Sequence, residues 1–133
     1  MDEARWMAQG EADLRAAETS AKAGHCEWAC FQAQQAAEKA LKAVLYKQGL
    51  TTAWGHSLVN LVEEASARDP TLAALDGDAR LLDKYYVPTR SPNGLAAPAI
   101  PATFYTLGDA EKCLAPARSI LTACRRSAGS SKL

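Results

Sequence analysis

Apolar positions recur at helical spacing along most of this chain. Trp6, Leu14, Ala17 and Ala21 mark a first amphipathic segment, which predicts a helix from about Asp2 to Ala23. Asp2 and Glu3 suit its positive N-terminal end, and Gly24 stops it. A second segment starts near His25 or Cys26 and runs to Gln48, with Trp28, Phe31, Leu41, Val44 and Leu45 as its apolar mass and Gly49 as its stop. Two long helices joined by so short a link predict an antiparallel hairpin.

Beyond it, "TTAWGHS" reads as a loop, Ser57 as the cap of a third helix, and Leu58, Leu61 and Val62 as that helix's apolar stripe. The pattern breaks at Pro70, restarts at Thr71 and predicts a short fourth helix ending near Tyr85 or Tyr86. From Val87 to Tyr105, four prolines and Gly94 predict no regular structure, and irregular segments this long in small domains are usually functional or flexible. A last helix is expected after Thr106, with Asp109 reaching back to complete the cap, and an end near Arg126. The expectation is an all-α antiparallel bundle of four to five helices, with one domain over 1–127 and a flexible tail over 128–133.

Composition agrees with this reading. Ala, Leu, Glu, Lys, Gln and Arg dominate while Val and Ile are scarce, which favours helix over strand. A length of 133 residues suffices for one core without staples. Fifteen basic residues balance fifteen acidic ones, so any anion-binding surface must be a local patch. No apolar run is long enough for a membrane span, and "MDEARWMAQGEADL" lacks the features of a signal peptide, so a cytoplasmic protein is expected. In a eukaryote, the terminal Ser131-Lys132-Leu133 would instead be a peroxisomal address. Cys26 and Cys30 lie one helical turn apart, as small buried residues would, and neither His25 nor His56 forms a ligand spacing with the four cysteines; no metal and no cofactor are expected.

The candidate chemistry lies on the second helix. Gln35, Glu38, Lys39, Lys42 and Tyr46 fall three or four apart and make one stripe, which Asp13 on the first helix can face. Three readings stand. The stripe is a cleft in which Lys39 and Lys42 meet phosphates while Gln35 and Asp13 hydrogen-bond a base or ribose; or a solvated face with a Glu38–Lys42 pair; or a network that fixes dimer register. His56 either caps or bridges at a helix start, or helps to hold an anion there. Tyr85, Tyr86, Phe104 and Tyr105 either anchor the proline-rich segment or stack a base.

"DLRAAE" at 13–18, "EWACFQAQQAAEKALKAVLYKQG" at 27–49, "GHSLVNL" at 55–61 and "DKYYVPTRSPNG" at 83–94 together resemble the HEPN domain, in the family's order and over nearly the whole chain. A similar domain ends the chaperone-related protein sacsin. The resemblance implies an antiparallel bundle, a homodimer, a minimal nucleotidyltransferase as partner, and binding of a nucleotide such as ATP or GTP. Many HEPN proteins are metal-independent ribonucleases with an Arg followed four to six residues later by a His. The Arg would stabilise the phosphorane and the His would move the proton in 2′-hydroxyl attack. Here Arg90 is followed by "SPNGLAAPAI", and no His follows it anywhere, so the motif is incomplete and Arg90 is left as an anion-binding or a structural residue. The expected function is a non-catalytic homodimer that binds a nucleotide, a nucleotidyltransferase, or both, with Asp13, Gln35, Lys39, Lys42, His56, Tyr85, Tyr86 and Arg90 as candidate site residues and RNA not the expected ligand. The alternatives are an RNA-cleaving toxin of a toxin–antitoxin pair with an atypical site, and a chaperone-linked dimerisation module without ligand.

Overall fold

The structure, a computed structural model, describes residues 2–51, 53, 55–86, 89 and 91–129. Arg90, with the candidate anion role, and the Ser131-Lys132-Leu133 address lie outside them. Six α-helices follow in order: α1 Glu3–Lys22, α2 Cys26–Lys47, α3 Leu58–Ser66, α4 Asp76–Asp83, α5 Pro101–Phe104 and α6 Leu107–Gly129. No strand occurs among the described residues.

The hairpin of α1 and α2 forms as expected. Asp2 caps α1 by accepting from the Arg5 amide, and both helices end with a left-handed glycine, Gly24 (φ 86°) and Gly49 (φ 102°), conformations that cost a side-chain-bearing residue more. After Gly49 the Leu50 amide reaches back to the Leu45 carbonyl at 3.1 Å, closing the end of α2. α2 is the central helix, packed chiefly on α1 and α6 and also on α3. Hence Ala29, Ala33, Ala36, Ala37, Ala40 and Leu41 have no exposed surface. Cys30 on α2 and Cys113 and Cys124 on α6 are buried as well, and all four cysteines are free thiols.

Small residues set how closely α1 and α2 approach. A Cβ built on Gly10 would lie 3.1 Å from the Ala36 carbonyl oxygen and 3.3 Å from the Ala40 nitrogen. These are backbone atoms, which cannot swing aside as a side chain would.

Several boundaries differ from the pattern's expectation. The segment restarting at Pro70 begins as a 3₁₀ helix, Pro70–Leu75, before α4, and α4 ends at Asp83 rather than at Tyr85 or Tyr86. Proline at the first position lacks only an amide that has no helical partner, so it starts this turn well. For the same reason the region expected to be irregular contains a 3₁₀ turn at Pro92–Gly94 and the single-turn α5 starting at Pro101. The box at the start of α6 is as expected: the Asp109 amide donates to Thr106 Oγ1 at 3.3 Å and the Thr106 amide donates to Asp109 Oδ2 at 2.9 Å. The helix passes through Pro116 and runs beyond Arg126. Ala128 and Gly129, expected to begin the tail, are its last residues, and the preceding Ser127 anchors the final turn by donating to Asp69 Oδ2 at 2.6 Å.

Gly10→Leu is expected to cost about 2 kcal/mol or more, in the range of overpacked cores. Gly10→Ala should destabilise by less, because its gain in helix propensity, up to about 1 kcal/mol, offsets only part of the backbone shift that its Cβ requires. Urea unfolding of both variants checks this; equal stability for Gly10→Leu and wild type would show that the helices are not in close contact here.

Candidate functional site

Each charged residue of the α2 stripe meets a partner from a different part of the chain. Antiparallel packing puts Asp13 of α1 across from Lys39, and the two form an ion pair. Gln9 donates to the other oxygen of Asp13 at 2.8 Å, which fixes the carboxylate. One turn along α2, Lys42 donates to Glu38 Oε2 at 3.0 Å. Glu38 and Lys42 are only 5 % and 7 % exposed, so this i,i+4 pair lies inside the bundle. The solvated-face reading of these two residues is therefore corrected, because α1 and the α2–α3 loop cover that side of α2. The Lys42 ammonium also sits 5.9 Å from the ring centroid of Trp6, which packs against Tyr46 at 5.6 Å.

Glu38 has a second partner. His56 Nδ1 lies 3.1 Å from both carboxylate oxygens, while 59 % of its side chain remains exposed. Backbone contacts hold the imidazole there: the buried Gln34 donates through Nε2 to the His56 carbonyl at 3.0 Å, and Gln35 donates to Gln34 Oε1 at 2.9 Å. On the other side of His56, Asp83 at the end of α4 accepts from Ser57 Oγ and from the amides of Leu58 and Val59 at 2.8–3.1 Å. Asp83 thus caps α3 from a neighbouring helix, with Ser57 capping it locally through the Asn60 amide. The same contact sets Tyr86, three residues after Asp83, against His56: the two rings stack with centroids 5.3 Å apart and planes 19° apart. Phe31 continues the aromatic line at 6.2 Å from Tyr86.

Asp13, Gln35, Lys39, Lys42, His56 and Tyr86 are therefore gathered along one side of α2. Tyr85 is not. Its hydroxyl donates to Asp109 at 3.1 Å and its ring packs on Tyr105 at 5.8 Å, towards α6. Burial, with buried thiols and Asp109 nearby, pushes the Tyr85 phenol well above its usual range. Burial works against ionisation of Asp109, but bonds from the Thr106 amide and hydroxyl and from Tyr85 hold its carboxyl below the usual range. Tyr85 is thus part of the cap of α6, and the contrast with Tyr86 follows from the turn that ends α4.

Trp6 and Glu38 were missed as site residues, although Glu38 belongs to the stripe by spacing. Trp6 looks like any core aromatic in a helical pattern; only the packing of α1 puts it under Lys42. With Asp2, Arg5, Gln9 and Lys39 it borders an open groove of about 450 Å³. No cluster of three or more His, Cys, Asp or Glu side chains able to hold a metal occurs among the described residues. Among them, no helix is long and apolar enough to cross a membrane.

The chain is an all-helical bundle whose central helix carries a buried Glu38–Lys42 pair, with the exposed His56 imidazole on Glu38 from the segment before α3. Residues 4–127 match the HEPN domain, and the chain belongs to that family. It is similar to the crystal structure of TT1696 from Thermus thermophilus, with 38 % identity, TM-score 0.89 and coverage of 95 % of this chain and 98 % of the other. It is also similar to ST0689, described as an archaeal HEPN homologue, with 35 % identity, TM-score 0.78 and coverage of 95 % and 97 %. A HEPN domain protein from Thermotoga maritima, tm0613, matches with 34 % identity, TM-score 0.72 and coverage of 91 % and 94 %. No curated protein matches the chain.

Removing one member of a buried pair leaves the other charge uncompensated. Lys42→Met is expected to cost about 3 kcal/mol, and the double variant Glu38→Gln/Lys42→Met should regain at least half of it. Denaturant unfolding measures both; a double variant no more stable than the single one would show that Glu38 does not depend on Lys42.

Proposed function

We propose that the chain is a non-catalytic, homodimeric HEPN protein that binds a nucleotide, a nucleotidyltransferase partner, or both, on the charged side of α2. The observation that carries this is the stacked His56–Tyr86 pair, held on Glu38 by groups that are themselves fixed. Groups preorganised in this way lose little freedom on binding. In this reading Tyr86 and His56 meet the base, Gln35 and Asp13 hydrogen-bond base or ribose, and Lys39 and Arg90 meet phosphates. Lys42, buried on Glu38, acts by positioning His56 through that carboxylate and not by touching the ligand. The lack of any His after Arg90 supports the non-catalytic assignment, since the family's ribonuclease pattern then has no proton carrier in its place.

One observation favours a second reading. A carboxylate on Nδ1 leaves Nε2 of His56 free, the arrangement by which an oriented imidazole serves as general base. An RNA-cleaving site would then use His56 in place of the missing residue.

Calorimetric titration of ATP and GTP tests the first reading. Tyr86→Ala and Arg90→Ala are each expected to weaken binding about tenfold or more with unchanged helical circular dichroism, as for loss of one stacking or charge-assisted contact. No heat and no thermal shift at millimolar nucleotide would sink it, while RNA cleavage abolished by His56→Ala would move the assignment to the second reading. The dimer has its own check. Trp28, Phe104 and Leu107 are exposed apolar residues of the kind a second copy would cover. Sedimentation equilibrium at micromolar concentration should give about twice the chain mass of 14.2 kDa; a single-chain mass would refute the dimer.

A further inference from the structure

A second polar groove, of about 560 Å³, lies where α2, the start of the Pro70 turn and the end of α6 meet. Its charge is of a different kind from that of the α2 stripe. Lys47, Arg68 and Arg126 border it, and none has a carboxylate within ion-pair distance among the described residues. Arg5, Lys39 and Lys42 on the stripe side are each paired. The acid bordering the groove, Asp69, is already engaged: it accepts from Ser127 Oγ at 2.6 Å, from Thr71 Oγ1 at 2.6 Å and from the Thr71 amide at 3.2 Å. It braces α6 against the Pro70 turn and forms no ion pair with the three cations, so its one negative charge still leaves the groove with a positive excess. In a chain of zero formal charge this is a local excess of positive charge.

The ends of α2, α3 and α6 converge here. Their carbonyls carry about half a negative charge per helix, which explains why cations collect at this end. Arg68 spends one donor in that way, on the Glu64 carbonyl at 3.4 Å. A phosphate, with one or two full charges and several acceptor oxygens, is a stronger partner for these donors than a frayed helix end. The groove wall also holds an unused acceptor. Gln48 donates through Nε2 to the Ala65 carbonyl at 3.0 Å, while its buried Oε1 has no partner among the described residues. A buried acceptor left in this state is costly, and turning the side chain offers it to a hydroxyl or amine on a ligand.

We propose that this groove binds a phosphate-bearing small molecule, with Lys47, Arg68 and Arg126 on the phosphate oxygens and Gln48 beside them accepting from a neighbouring hydroxyl. Its size is that of an ordinary small-molecule site. It shares no residue with the α2 stripe, so it stands or falls independently of the nucleotide reading above.

The probe is inorganic pyrophosphate, which carries the charge without a base. Titration into the full chain at low ionic strength should show saturable one-to-one binding. Arg68→Gln/Arg126→Gln should weaken it roughly thirtyfold or more, and Lys47→Gln, on the α2 wall, roughly fivefold or more, with unchanged melting temperatures. His56→Gln should leave it intact, which separates this groove from the stripe. Displacement by ATP supports the proposal and identifies a free nucleotide as the source of the phosphate, whereas displacement by single-stranded RNA and not by ATP overturns the small-molecule assignment. Absence of saturable binding at millimolar pyrophosphate, or equal affinity in wild type and the double variant, overturns the proposal.

Discussion

The contact of α1 with α2 at Gly10 determines most of what surrounds it. With hydrogen in place of a side chain at Gly10, and alanines at 36 and 40, the two backbones lie closer than ordinary core residues permit. At that separation short side chains span the gap. Asp13, one turn after Gly10, reaches Lys39, and Trp6, one turn before it, lies beneath Lys42. A wider spacing would break the ion pair and leave Lys42 without its aromatic neighbour. The alanines commonly seen in helical sequences act here less as helix formers than as spacers that set a distance.

Close packing has a consequence for charge. A central helix covered by α1, α3 and α6 leaves its polar residues little solvent, yet α2 carries Gln34, Glu38 and Lys42 in buried positions. Such groups persist only when every one is paired, since an unpaired buried charge costs several kcal/mol. Here these three are paired, Lys42 on Glu38 within the helix, and His56 on Glu38 and Gln34 on the His56 backbone from across the chain. A network that takes partners from α2 and from the loop before α3 is satisfied in one arrangement only. It thereby fixes where His56 and, through the stack, Tyr86 stand. An apolar replacement of equal volume would stabilise at least as well, but would not orient the imidazole.

Much of this was legible in the sequence wherever a residue's meaning is local. Gly24 and Gly49 end helices because only the residue after a helix must turn left-handed, and the Thr106–Asp109 box is readable from its spacing. Lys39 and Asp13 were legible as facing residues from the hairpin alone. What was not legible depends on burial and on turns. Polar residues three and four apart read as a solvated stripe, and the sequence contains no sign that other helices cover it. Tyr85 and Tyr86 are adjacent and chemically identical, yet one completes the cap of α6 and the other stacks on His56, after an α4 that stops at Asp83, two or three residues earlier than its pattern suggests. The capping role of Asp83 was not legible either, because capping across helices leaves no trace in spacing.

The two charged regions of the molecule pose different problems to an anion. On the α2 side Arg5, Lys39 and Lys42 each already have a carboxylate, so a phosphate would have to compete with Asp13 for Lys39 and with Glu38 for Lys42. The second contest is the harder one, because separating a buried pair strands Glu38 in the interior. Affinity on that side must therefore come from the exposed edge, where the His56–Tyr86 stack offers a flat surface, with Lys39 as the cation most easily drawn away. At the far end of α2 the balance reverses. Lys47, Arg68 and Arg126 have no ion pair among the described residues, so a phosphate there would not have to break one. A ligand that recognises a ring suits the first region and one that recognises charge alone suits the second, a division that follows from where the acids lie and not from how many cations the chain contains.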